Sequence, residues 1–340
     1  MIRSSIRIFL GLLAVLALGL FVAACGDDEE SDATSTPAAQ ATQPADGSDI
    51  SADEKAANKI APVDGASDIS LSVGSKNFTE QYVLAEIYAQ ALGAAGYKVK
   101  KELNLGSEVV AYRSLKQGEV DSYPEYTGTS LTAFFDVKVK DVPKEPQKAY
   151  EDAKAAYAKE NITAFEPTPF ENSYRLGILK SRAAEFGNPT KISDLKEEAP
   201  KMTVNGHDEC RQRIDCLLGV EQNYGLKFKK FLPGDAKFQI LDNKDADVAF
   251  VFTTDGPLSS DKYLVLDDDQ NLYPPYNITF TMRKSVADKL GAAGQKVITD
   301  VQKHMTEAVM QELNARVDID KQEPAAAAKA YLEQFGYIAS

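Results

Sequence analysis

From residue 69 onward the chain switches between two hydrophobic periods. Ile69-Ser70-Leu71-Ser72-Val73 is apolar at every second position, as a half-buried strand requires, and Gly74-Ser75-Lys76-Asn77 ends it. Val83, Leu84, Ile87, Tyr88 and Leu92 then recur at helical spacing behind Thr79, a candidate cap, and Gly93 and Gly96 close the run. A strand is predicted over 99–105. Ser107 is placed to cap a helix carrying Val109, Val110 and Leu115, with Gly118 just past its end. A short strand over 120–123 leads straight into Pro124-Glu125-Tyr126-Thr127-Gly128-Thr129. Further strands are predicted over 163–165, 175–179, 202–204, 247–252, 262–266 and 278–282, with a helix start capped by Ser193. Helices take over at 285–312 and 324–335. Alternating strands and helices predict an α/β chain.

The first residues follow neither period. Arg3 and Arg7 precede an uncharged apolar run that ends at Val22-Ala23-Ala24-Cys25-Gly26. Residues 1–24 therefore have the form of a secretory signal, and the small residues before Cys25 resemble the bacterial lipobox, whose cysteine is lipidated. An uncleaved anchor helix is the alternative, although the run is short for a bilayer span. Acids and a Ser, Thr, Pro, Ala and Gln tract follow, with almost no large apolar residue. Residues 25–67 are expected to be a disordered tether that lifts the folded body off the membrane.

The chain has 340 residues, so two packed lobes are the starting expectation. Its formal net charge is −13, and loss of residues 1–24 removes two arginines and no acid, leaving −15. Such acidity argues against nucleic-acid binding. His207 and His304 are the only two histidines, which weakens zinc chemistry and Ser-His-Asp hydrolysis. Outside the cell Cys210 and Cys216 are expected to form a disulfide, which needs a turn between them; two free thiols are the alternative. His207 lies near in sequence, but no further soft ligand joins them, so no metal site and no cofactor are expected. Asp267, Asp268 and Asp269 lack the alternation of a calcium loop and read as a solvated turn.

Several blocks resemble one known family. They are Gly74-Ser75-Lys76-Asn77-Phe78-Thr79-Glu80-Gln81, Tyr123 through Thr129, Phe170-Glu171-Asn172-Ser173-Tyr174, Thr253-Thr254-Asp255-Gly256 and Tyr273-Pro274-Pro275-Tyr276-Asn277. In order, from about residue 69 to the C-terminus, they look like the glycine betaine, choline and carnitine binding proteins that serve osmoprotectant ABC importers. The resemblance implies a two-lobed periplasmic-binding-protein fold, type II-like, with a ligand cleft. Residues 68–168 and 263–340 would form lobe I, and residues 169–262 lobe II.

The resemblance also implies an aromatic cage for a quaternary ammonium head group. Its walls fall on Tyr126, Tyr174, Phe252 and Tyr276, with Gln81 and Thr129 at positions that hydrogen-bond the ligand's polar end. Phe252 departs from the usual Tyr. The residue types suit the task on physical grounds, because a trimethylammonium group donates no hydrogen bond and is drawn to ring faces. Each ring has a plainer alternative as core or loop packing. The expected protein is a lipid-anchored, extracytoplasmic solute-binding protein that hands its ligand to an ABC permease and performs no chemistry. The same fold holding another small polar solute, such as an amino acid, is the nearest rival. A secreted enzyme is a more distant one, since no nucleophile and base stand in a recognisable pattern.

Overall fold

The computed structural model describes residues 50–339, as two mixed five-stranded sheets surrounded by helices. The first sheet runs β2 (Lys98–Glu102), β1 (Ser70–Gly74), β3 (Ser122–Tyr126), β10 (Ile278–Arg283), β4 (Ile162–Ala164). The second runs β7 (Lys230–Pro233), β6 (Thr203–Gly206), β8 (Val248–Phe252), β5 (Tyr174–Leu179), β9 (Tyr263–Leu266). The two follow one plan: two parallel pairings, then a strand that runs antiparallel to both its neighbours. That antiparallel strand is β10 in one lobe and β5 in the other, and each is reached from the opposite sheet. The chain therefore crosses twice, between β4 and β5 and between β9 and β10. The second crossing follows Leu266, so the return to the first lobe comes after β9, later than the expected boundary at 262, because β9 pairs with β5.

Helix α2 (Thr79–Ala94) lies at the centre of the first lobe. Its sequence is apolar nearly all round, and Val83, Leu84, Ala85, Ile87, Tyr88 and Leu92 are all buried. Phe78 takes the N-cap position, one residue earlier than expected, so Thr79 opens the helix and its hydroxyl turns to Asp318, 2.6 Å away. Ser107 does precede helix α3 (Glu108–Gln117), and Gly118 closes that helix with a positive φ of 76°. Ser193 lies inside a short 3-10 turn, Ile192–Lys196, that Lys191 precedes.

The remaining helices are α4 (Thr127–Thr129), α5 (Pro146–Lys159), α6 (Leu217–Gly219), α7 (Lys237–Asp242), α8 (Lys284–Asp300), α9 (Glu307–Asp318) and α10 (Pro324–Gln334). The single helix expected over 285–312 is two: α8, kinked at Gly291, and α9, whose N-cap Thr306 accepts the Val309 N–H.

The expected tether extends too far. Residues 50–67 are ordered: helix α1 (Ala52–Asn58) is capped by Ser51, and Ile50, Ile60 and Val63 pack on the core. Asn58 donates to the Phe335 carbonyl at 3.0 Å, and the Ile60 N–H to that of Tyr337 at 3.0 Å. Three apolar residues and a few backbone bonds suffice to dock this segment against the end of α10. The signal segment, Cys25 and the rest of the tether lie outside the described residues.

Candidate functional site

Strand direction builds the site. The parallel strands β1, β3, β6 and β8 all deliver their carboxyl ends to one cleft, the usual place for a ligand in such sheets. Lys76 follows β1, Tyr126 ends β3, His207 follows β6 and Phe252 ends β8. The two antiparallel strands start at the same cleft, so Tyr174 opens β5 and Tyr276 sits two residues before β10. The cavity measures about 650 Å³. Tyr126, Thr129, Tyr174, Phe252 and Tyr276 all line it.

Local structure fixes each ring. Tyr174 and Phe252 are direct partners in the β5–β8 ladder, and their ring centroids stand 4.6 Å apart. Tyr126 pairs with Ile278, and the next N–H, of Thr127, bonds the Asn277 carbonyl at 3.0 Å. Gly128 lets the Tyr276 ring close on this turn, because a Cβ there would lie 2.8 Å from Cε1 of that ring. All three tyrosines are buried, and desolvation holds the hydroxyls of Tyr126 and Tyr276 far above their ordinary value, so these stay neutral.

Gln81, the remaining candidate, is not among the residues that line the cavity. It is fully buried in the first turn of α2, behind the cleft wall, and its Oε1 accepts the Lys76 N–H at 3.2 Å. Thr79 and Glu80 of the same turn line the cavity, whereas the Gln81 side chain points away from it into the packed interior. Gln81 instead orients the loop that carries Lys76.

Charged groups that the sequence reading did not single out complete the walls. Lys76 is ion-paired with the buried Glu125, and its Nζ stands 4.4 Å from the centre of the Tyr126 ring. Burial pushes the Glu125 carboxyl up, and Lys76 opposes that. Arg213 grips Asp215 with two bonds, Nε to Oδ1 at 2.8 Å and Nη2 to Oδ2 at 2.6 Å, and its guanidinium carbon stands 5.8 Å from the Tyr174 centroid. The Tyr276 hydroxyl donates to Asp215 Oδ2 at 3.2 Å. Burial would raise the Asp215 carboxyl, but Arg213 and Tyr276 together outweigh it and hold it below 3.8.

Glu80 accepts the Tyr126 hydroxyl at 2.6 Å, the Asn172 amide at 3.0 Å and the Asn314 amide at 3.2 Å, and burial raises its carboxyl above 4.5. Lys76 and Glu80 were visible inside the first quoted block. Arg213 and Asp215 stood between the two cysteines, but nothing in the sequence signalled Lys237, which also lines the cleft. Cys210 and Cys216 form a disulfide, so although His207 lies within 4.8 Å of both sulfurs, neither is available as a thiolate ligand. The whole arrangement is one of ring faces, ion pairs and amides, suited to gripping a small charged solute.

Residues 69–334 match the family described as the substrate-binding domain of ABC-type glycine betaine transport systems. The chain is 31% identical over 278 residues to a glycine-betaine-binding protein of Pseudomonas aeruginosa, covering 78% of this chain and 88% of that one. It is 25% identical over 280 residues to a carnitine transport binding protein of Listeria monocytogenes, covering 81% and 89%. Over 270 residues it is 27% identical to an ergothioneine transport permease/ergothioneine binding protein of Helicobacter pylori, covering 78% of this chain but 48% of that longer one. Among solved structures, a glycine betaine/carnitine/choline ABC transporter protein superposes with a TM-score of 0.70 at 22% identity, covering 78% of this chain and 99% of that one.

Proposed function

Because the chain belongs to the family of substrate-binding domains of ABC-type glycine betaine transport systems, we propose that its cleft captures a quaternary ammonium osmolyte for delivery to an ABC permease. The observation that carries this reading is the convergence of Tyr126, Tyr174 and Tyr276, with Phe252, on one cavity from the ends of two sheets. Ring faces attract a methylated ammonium at about 0.5–2 kcal/mol each and bury its methyl groups. The field of the cleft favours a cation too. The acids lining it (Glu80, Glu108, Asp215, Asp235, Asp255 and Asp318) outnumber the cations Lys76, Arg213 and Lys237.

In this mechanism the open lobes admit ligand. Tyr126 and Tyr276 then meet Tyr174 and Phe252, and contacts made only in the closed form shift the population toward it. The permease recognises the closed form. Lipidation at Cys25 anchors the protein to the outer face of the membrane; recovery of a Cys25→Ala variant in the membrane fraction at wild-type level would argue against that anchor.

The test is titration calorimetry of the full chain in detergent with glycine betaine, choline and carnitine, and with lysine and glutamate as controls. Dissociation constants no better than about 1 mM for every quaternary amine would defeat the reading. If one binds, Tyr126→Ala should weaken it by about 1–2 kcal/mol with the far-ultraviolet circular dichroism unchanged. A second reading, an amino acid or another small zwitterion, draws on the protein cations already standing near the rings, and the lysine and glutamate controls address it.

A further inference from the structure

Lys76 stands over the Tyr126 ring, and a second lysine stands over the ring of Phe252. Lys237, the first residue of α7, sends its ammonium into the cleft, where Nζ stands 4.3 Å from the centroid of the Phe252 ring. Asp255 holds it there, with Oδ2 2.5 Å from that nitrogen. The same carboxylate oxygen accepts the Phe252 N–H at 2.7 Å, so ring, cation and anion form one closed unit at the end of β8. Both side chains of the ion pair are only 18% exposed, and Lys237, Phe252 and Asp255 all line the cavity. With Tyr174 packed 4.6 Å away on the same ring, the position that a ligand ammonium would take over Phe252 is filled by the protein's own cation.

Resting on the reading of the cleft as a quaternary ammonium site, we propose that Lys237 is a specificity-determining residue. Its ammonium takes the Phe252 face and sets a positive charge beside the bound molecule. A ligand with a net positive charge is repelled by that ammonium, which Asp255 offsets only in part, whereas a zwitterion with the same head group brings a carboxylate that is attracted to it. Lys237 therefore shifts preference from alcohol-bearing to carboxylate-bearing quaternary amines, and Asp255 moderates the shift. Phe at 252 fits this role: a ring without a hydroxyl offers its face to Lys237 and no competing polar group.

Glycine betaine and choline are the matched probes, since they share a trimethylammonium head and differ in carboxylate against hydroxyl. Their affinities are measured by calorimetry on the full chain and on Lys237→Gln, Lys237→Arg and Asp255→Asn. The expected result is a choline-to-betaine affinity ratio raised about tenfold or more by Lys237→Gln, nearly restored by Lys237→Arg, and lowered by Asp255→Asn. Opposite movements in the two neutralising variants cannot come from general damage to the fold. A ratio that stays within about twofold of wild type in both overturns the role of Lys237 while leaving the osmolyte reading in place. Failure of the wild-type chain to bind either probe defeats the osmolyte reading, and this inference with it.

Discussion

At the scale of single residues, the cleft is governed by how buried charge is compensated. Glu80 shows the limit of that compensation. It collects hydrogen bonds from Tyr126, Asn172 and Asn314, all neutral donors, and burial still raises its carboxyl above 4.5. A carboxyl whose folded-state pKa is raised binds its proton more tightly when folded. Its contribution is fully present below about 4.5 and is lost as pH rises through the folded value. Glu80→Gln does not titrate and so removes that loss. Relative to wild type, the variant should gain unfolding free energy as pH rises from 4.5 toward neutrality, measured by urea denaturation at a series of pH values. A difference that stays flat with pH would mean that Glu80 does not titrate in this window. Tyr126 was legible in the sequence because it stands in a distinctive block. Its dependence on Glu80 was not, because the two are 46 positions apart and meet only in the fold.

At the scale of elements, the segment between β6 and α6 deserves its own test. Cys210 and Cys216 close a loop across a sequence separation of 6, and both are fully buried. Inside that loop sit Arg213, near the Tyr174 ring, and Asp215, which accepts the Tyr276 hydroxyl. The crosslink thus holds one ion pair against the Tyr174 and Tyr276 rings, which come from opposite sheets. Closing so short a loop restricts the unfolded chain by roughly 2 kcal/mol, so the double variant Cys210→Ser/Cys216→Ser should melt at a lower temperature. It should also bind ligand more weakly, and that second loss should largely vanish in an Arg213→Ala background. Additive losses would show that the disulfide serves stability alone. The two cysteines were plain in the sequence, and so was the need for a turn between them. Their nearness to the cleft was not, since it depends on β6 lying next to β8 in the sheet.

At the scale of the whole molecule, α9 and the loop after β8 bring the lobes into contact. Gln311 donates to the Thr253 carbonyl at 2.7 Å and Asn314 to that of Thr254 at 2.8 Å. Gly256 approaches so closely that a Cβ on it would lie 2.7 Å from the Ala315 nitrogen. Since that neighbour is backbone, it has no side chain to rotate away. Gly256→Ala should therefore hold the lobes apart at this point. Small-angle scattering should show less compaction on adding ligand, and the affinity should fall; unchanged affinity would remove this contact from the closure.

By itself the sequence determined the periodic elements, because strand and helix periods are local properties of neighbouring side chains. It also carried the five ordered blocks, which hold Tyr126, Tyr174 and Tyr276, with Phe252 immediately before the fourth. What it did not contain was the context of those blocks. Tertiary structure decided that Gln81 points into the packed interior while Thr79 and Glu80 of the same turn line the cavity. It decided that residues 50–67 dock, because the end of α10 supplies their partners. It decided that β9 belongs to the second sheet, and that Lys237 stands over Phe252. Each of these outcomes depends on groups far apart along the chain, whose meeting is fixed only when both sheets have formed.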